Sequence, residues 1–116
     1  VAMRNASGAY VNPDDVAFKA AAAGAEWNKS FYQILTNQAG KDAWPISGAT
    51  FILMHKVQDK PENGKEVLNF FNWAFENGAQ AAADLDYVAL PKDVTDKIKA
   101  AWAAEIKSKD GAAVWK

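Results

Sequence analysis

The run Ala49-Thr50-Phe51-Ile52-Leu53-Met54 constrains the fold of this chain more than any other stretch. It is entered through Ala43-Trp44-Pro45-Ile46-Ser47-Gly48 and left through His55-Lys56. A strand with one face in water alternates apolar and polar residues. Four consecutive bulky apolar side chains fit a strand covered on both faces instead, as in α/β domains. The run predicts a strand over about 49–57, and a strand needs neighbours. Few other segments of the chain offer them. The expected class is therefore α/β, helix-rich with few strands in this segment, and the chain reads as one part of a larger assembly.

Helix signals dominate elsewhere. Asn12-Pro13-Asp14-Asp15 supplies an N-cap, a proline suited to a first turn and two carboxylates at the positive helix end, predicting a helix over 13–23 that stops at Gly24. Before it, Asn5-Ala6-Ser7-Gly8 is turn chemistry followed by a short strand at Ala9-Tyr10-Val11, a hairpin-like pattern. Residues 25–43 carry Trp27, Phe31, Tyr32, Ile34 and Leu35 without a sustained period, which predicts a packed loop with at most a turn of helix. Pro61-Glu62 opens another helix, whose apolar face is Val67, Phe71, Ala74, Phe75 and Gly78, widened by Leu68 and Phe70, with Trp73 to one side. Burying one such aromatic contributes roughly 1.5–3 kcal/mol, so this face calls for a substantial partner. A further helix follows over 79–88, broken from the first near Gly78. The last opens with Pro91 at its first position, buries Val94, Ile98, Ala101, Trp102 and Ile106, and ends by Gly111.

Composition removes several classes of function. In 116 residues, acidic and basic side chains nearly cancel at a net charge of −1, without the basic stripe of a nucleic-acid binder. No apolar run approaches the roughly 18 residues that span a bilayer, so a soluble chain is expected. With no cysteine, disulfides, thiol nucleophiles and thiolate metal sites are excluded. Val1 is followed by no basic-then-apolar leader, and the expectation is that upstream chain is missing.

Catalytic constellations are equally scarce. His55 is the only histidine; it has no second ligand at metal spacing, and no Gly-x-Ser-x-Gly elbow supplies a nucleophile for it to activate. Asp84 and Asp86, two residues apart, face different directions on a helix and read as a solvated helix end. No catalytic residue, metal site or cofactor is expected, and the chain is not expected to be an enzyme. Ser47, Gly48 and Thr50 are the candidate ligand-binding residues, because small residues let backbone N–H groups turn toward an anion and hydroxyls can donate to it. They lack the lysine of a phosphate-binding loop, and the plainer reading is a crossover turn in which Gly48 permits close packing.

These residues carry a resemblance. Asp42 through Lys56, then Gly64-Lys-Glu-Val-Leu-Asn-Phe-Phe-Asn-Trp-Ala-Phe75, then Asp84-Leu-Asp-Tyr87 with Leu90-Pro91, closely resemble the C-terminal part of bacterial periplasmic phosphate-binding proteins, the substrate receptors of the phosphate ABC transporter. Asn12-Pro-Asp-Asp with Phe18, and Gly24-Ala-Glu-Trp27, fit the same region. The resemblance implies a two-lobed periplasmic-binding-protein fold, with 1–25 ending the second lobe, 26–48 forming the hinge or return crossing, and 49–116 completing the first lobe. It implies a periplasmic protein whose partners are inorganic phosphate (through the full-length protein), the membrane permease and the remainder of the same polypeptide, with no nucleic acid. The family's main phosphate ligands lie in N-terminal loops and in a central Arg with a Ser-Gly-Thr turn, segments this chain does not contain. The alternative reading is a self-associating surface or structural module.

Overall fold

Four helices, two two-stranded sheets and long irregular connections make up the computed structural model, which describes residues 1–116. β1 (Met3–Arg4) and β2 (Tyr10–Val11) form the expected antiparallel hairpin, with Met3 opposite Val11. Its turn is organised by the buried Asn5. The Oδ1 of Asn5 accepts from the Ser7 and Ala9 backbone N–H groups and from the Ser7 hydroxyl, the last at 2.7 Å. Its Nδ2 donates to the carbonyls of Lys41 at 2.7 Å and Ala43 at 3.1 Å, and more weakly to Gly40. One side chain thus closes the turn and ties it to a loop some 36 residues away.

α1 (Asp15–Ala23) starts two residues later than the sequence suggests. Asp14 has extended backbone and caps the helix, accepting the Ala17 N–H at 2.9 Å, so Asn12 and Pro13 lie before the helix rather than at its start. Residues 25–43 contain only turns, as their broken periodicity predicts.

The predicted strand over 49–57 is corrected. From Ala49 to Met54 no backbone N–H or carbonyl pairs with another backbone group, and Phe51, Ile52 and Leu53 are exposed. Only Val57–Gln58 is a strand, β3, and it pairs in parallel with β4 (Lys107–Ser108). Pairing lasts as long as the partner edge does, and β4 offers two residues. The rest of the run is extended chain without a sheet.

α2 (Pro61–Asn77) begins at the expected proline. Its buried line runs through Gly64 and Leu68, with Phe71 and Phe75 half-buried beside it, so the packed face lies one residue round from the predicted one. Val67, Phe70 and Trp73 form an exposed flank. Gly78 ends α2, donating to the Ala74 carbonyl at 2.8 Å, and α3 (Ala79–Asp84) follows, shorter than the predicted 79–88. A Cβ at residue 78 would lie 2.6 Å from that carbonyl, which is why the junction falls at a glycine. α4 (Lys92–Glu105) is capped by Pro91 in extended backbone, placing that proline just before the helix. It stops at Glu105 rather than near Gly111, because Ile106 turns extended and delivers Lys107–Ser108 to β3. In the turn after β4 the Asp110 carboxylate accepts from the Ser108 hydroxyl, which holds its pKa below the usual carboxylate range. Lys99 of α4 meets Glu76 of α2 at 2.9 Å.

Two small apolar clusters replace one core. The first joins Ala22 and Trp27 to Leu35 and Val94, with the Trp27 indole donating to the Ala22 carbonyl at 2.7 Å. The second joins Leu68 to Ile106 and Val114, under Trp102 and Trp115. Phe75 stacks on Trp102 at 5.7 Å between ring centroids, and Trp102 meets Trp115 edge-on. Only 15 residues are buried, too few to close a shell around either cluster. The solvent-accessible surface is 7871 Å², against about 6,200 Å² for a folded monomer of this 12.6 kDa mass. The radius of gyration is 16.2 Å, where a compact domain of this length has about 13 Å. The chain is a spread, helix-rich segment with few strands.

Asn5→Ala removes both halves of the hairpin latch and strands buried polar groups. It is expected to cost about 1–3 kcal/mol, read as a lower urea midpoint with an unchanged slope.

Candidate functional site

A groove of about 600 Å³ opens beside the extended run. One wall is the extended run, through Ala49, Phe51 and Met54; the other is α4, through Ile98 and Trp102, with Trp27 and Leu35 from the first cluster between them. The loop after α3 closes one end with Tyr87, Val88 and Leu90. Tyr32 packs its ring 5.6 Å from that of Phe51, steadying the arm from outside. The groove is assembled because Trp44 is pinned at the base of the arm. Its backbone N–H donates to the Ala17 carbonyl of α1 at 3.0 Å, and its ring centroid lies 6.2 Å from that of Phe18.

Ser47, Gly48 and Thr50 sit where the arm leaves this base, along the groove. Ser47 is buried, and its hydroxyl donates to the Trp44 carbonyl at 3.0 Å, closing the turn. Gly48 and Thr50 are exposed. A Cβ at Gly48 would meet nothing within 4 Å, so close packing is not what the glycine provides, and that reading is corrected.

The chemistry of the groove is apolar. Lys56 and Glu105 at its edge pair with each other, and Lys19 pairs with Asp15. Arg4, the only arginine, is in the N-terminal hairpin, its guanidinium beside Gly8. An anion moved into such a groove would lose its hydration with few donors to replace it. Extended polypeptide would also desolvate its backbone groups, but the unpaired N–H and carbonyl groups of residues 49–54 are there to pair with them.

His55 is exposed, and it is the backbone carbonyl of this residue that accepts from the Gln58 amide. Asp84 accepts from Gln80 at 2.8 Å, one helical turn away, and Asp86 follows with a positive φ of 62° as α3 ends. No three His, Asp or Glu side chains converge. No helix is long and apolar enough to cross a membrane. Asn5, which fixes the loop leading to Trp44, was legible only as a turn residue; its long-range bonds leave no local pattern.

Against known proteins, the chain is similar to a C-terminal segment of curated phosphate-binding proteins. It is 47% identical over 115 residues to the phosphate-binding protein PstS of Pasteurella multocida, covering 97% of this chain and 33% of that protein. It is 45% identical over 109 residues to PstS of Haemophilus influenzae, covering 92% of this chain and 33% of that protein. A third relative, PstS of Xylella fastidiosa, is 44% identical over 91% of this chain and 30% of its own length. The chain thus spans about a third of the curated relatives it matches. No family model matches it.

The two halves of the Ser47-Gly48 turn are expected to respond oppositely. Ser47→Ala leaves the buried Trp44 carbonyl without its donor and lowers stability by about 1 kcal/mol. Gly48→Ala meets open space and leaves the melting temperature unchanged or raises it, by up to about 1 kcal/mol of stability. Thermal denaturation of both variants checks the pair.

Proposed function

We propose that this chain is the C-terminal portion of a periplasmic phosphate-binding receptor that delivers phosphate to the permease of an ABC importer, and that it is not an enzyme. The observation that carries the reading is the 44–47% identity to phosphate-binding proteins over nearly the whole of this chain. Such a receptor works by replacing the water around the anion with neutral N–H and O–H donors in a closed cleft, so that affinity comes from many directed hydrogen bonds.

In that receptor residues 1–25 end one lobe, 26–48 return across the hinge and 49–116 complete the other. Two features support the boundary between 48 and 49. The Asn5 latch ties residues 40–43 to the N-terminal hairpin, making one unit up to the base of the arm. Beyond Ser47 the arm makes no backbone pairing until Lys56, whose carbonyl accepts from Lys107. The cluster linking Ala22 and Trp27 to Val94 is then the contact between the parts. Gly48 and Thr50, exposed at the start of the arm, are the candidates to present a backbone N–H and a hydroxyl to the cleft, while Ser47 shapes the turn that aims them.

The test compares this chain alone with a chimera that joins it to the preceding part of the Pasteurella protein. Phosphate titration by calorimetry is expected to show saturable 1:1 binding by the chimera and none by the 116-residue chain. Thr50→Val in the chimera is expected to weaken binding by about 1–3 kcal/mol if its hydroxyl meets the ligand. A chimera that binds no phosphate contradicts the reading, as does tight binding by the isolated chain.

A further inference from the structure

Between Pro45 and Lys56 the chain carries no proline, aspartate, glutamate, lysine or arginine. Those are the residue types with which natural sheets keep a free edge from pairing with another chain. They are missing over the stretch where the backbone is bare, since no N–H or carbonyl from Ala49 to Met54 meets another backbone group. Phe51, Ile52 and Leu53 are exposed beside those groups, Leu53 at 93%. A short, uncharged apolar run with free edges is a template for a strand of its own kind.

Charge, register and area all suit a second copy. Each copy has a net charge of −1, so no long-range repulsion keeps two of them apart. Antiparallel pairing about a two-fold axis at Ile52 sets that residue against the partner's Ile52. The same register sets Phe51 against the partner's Leu53 and Thr50 against the partner's Met54. Opposed side chains share a face of an antiparallel pair, so the two apolar runs meet. Lys56 and the partner's Lys56 fall eight positions apart along the ribbon, about 27 Å. That separation is well beyond the screening length at physiological salt. The chain exposes about 1,700 Å² more than a folded monomer of its mass. A standard protein–protein interface takes about half of that from each partner.

We infer that two copies of this chain associate through antiparallel pairing of residues 50–54 about a two-fold axis at Ile52. Both copies use the same edge, so the contact is isologous and closes at two. The arm is held ready for it: Trp44 and Ser47 fix its base, and β3 fixes its far end. The pairing needs only these 116 residues and does not rest on the receptor reading. It leaves the flank of Val67, Phe70 and Trp73 on α2 exposed.

Sedimentation velocity of the 116-residue chain tests it, at concentrations on the order of 1–200 µM. A shift from monomer to dimer is expected within that range. The amides of residues 51–53 are expected to exchange at least about tenfold more slowly at its top than at its bottom. Ile52→Lys sets two like charges face to face at the axis and removes apolar contact, and is expected to weaken the dimer at least about tenfold. Val67→Lys, on the exposed flank of α2, is expected to leave the dimer unchanged. Because the chain has no cysteine, Ile52→Cys reads the register separately. Opposed thiols at the axis are close enough to oxidise to a disulfide-linked dimer with added oxidised glutathione, whereas Val67→Cys is expected to stay unlinked. A chain still monomeric at about 200 µM overturns the inference. So does a dimer indifferent to Ile52→Lys, one equally weakened by Val67→Lys, or a species that grows beyond two copies. Failure of Ile52→Cys to cross-link overturns it as well.

Discussion

An extended segment can hide large apolar side chains only if its own backbone groups are paired, and in this chain the segment from Ala49 to Met54 has no backbone partner. That single constraint organises the rest. Because the run cannot form a sheet, α2 and α4 have no common surface to pack upon, and each buries only a narrow line of residues. Leu68 and Val94 are fully buried, yet Phe70 and Trp73 of the same helical layer face water. The result is two small clusters on either side of an open groove rather than one core.

Local and long-range organisation differ sharply in completeness. Every buried side-chain polar atom has a hydrogen-bond partner. Asn5 closes the hairpin and holds the loop at 40–43, Asp14 caps α1, and Ser47 closes the turn onto the Trp44 carbonyl. These are finished units of the sort that natural sequences specify residue by residue. What is unfinished is apolar and non-local: a strand without a sheet and helix faces without a cover. The similarity to phosphate-binding relatives likewise covers about a third of the length of each.

The helices were legible because their signals are local. Pro61, Gly78 and Pro91 punctuate the chain within a residue of where α2, α3 and α4 change hands. The hairpin at Asn5–Gly8 was legible for the same reason. The error at 49–57 has a physical cause: periodicity reports the burial a segment is built for, and pairing depends on a partner that no local pattern contains. The rotation of the α2 face toward Leu68 has a similar origin, since the position of Ile106 and Val114 decides which line is buried. At the candidate site, Ser47, Gly48 and Thr50 were found as a group, but only the structure separates the inward hydroxyl of Ser47 from the outward positions of Gly48 and Thr50.

Differential scanning calorimetry of the 116-residue chain addresses the central claim most directly, because the heat capacity of unfolding measures how much apolar surface the folded chain conceals. A self-sufficient domain of this length gives about 1.4–1.7 kcal/mol/K. A segment built to be covered by more polypeptide is predicted to give a clearly smaller value, in a broad transition. A sharp, two-state transition with the full heat-capacity change would contradict the account.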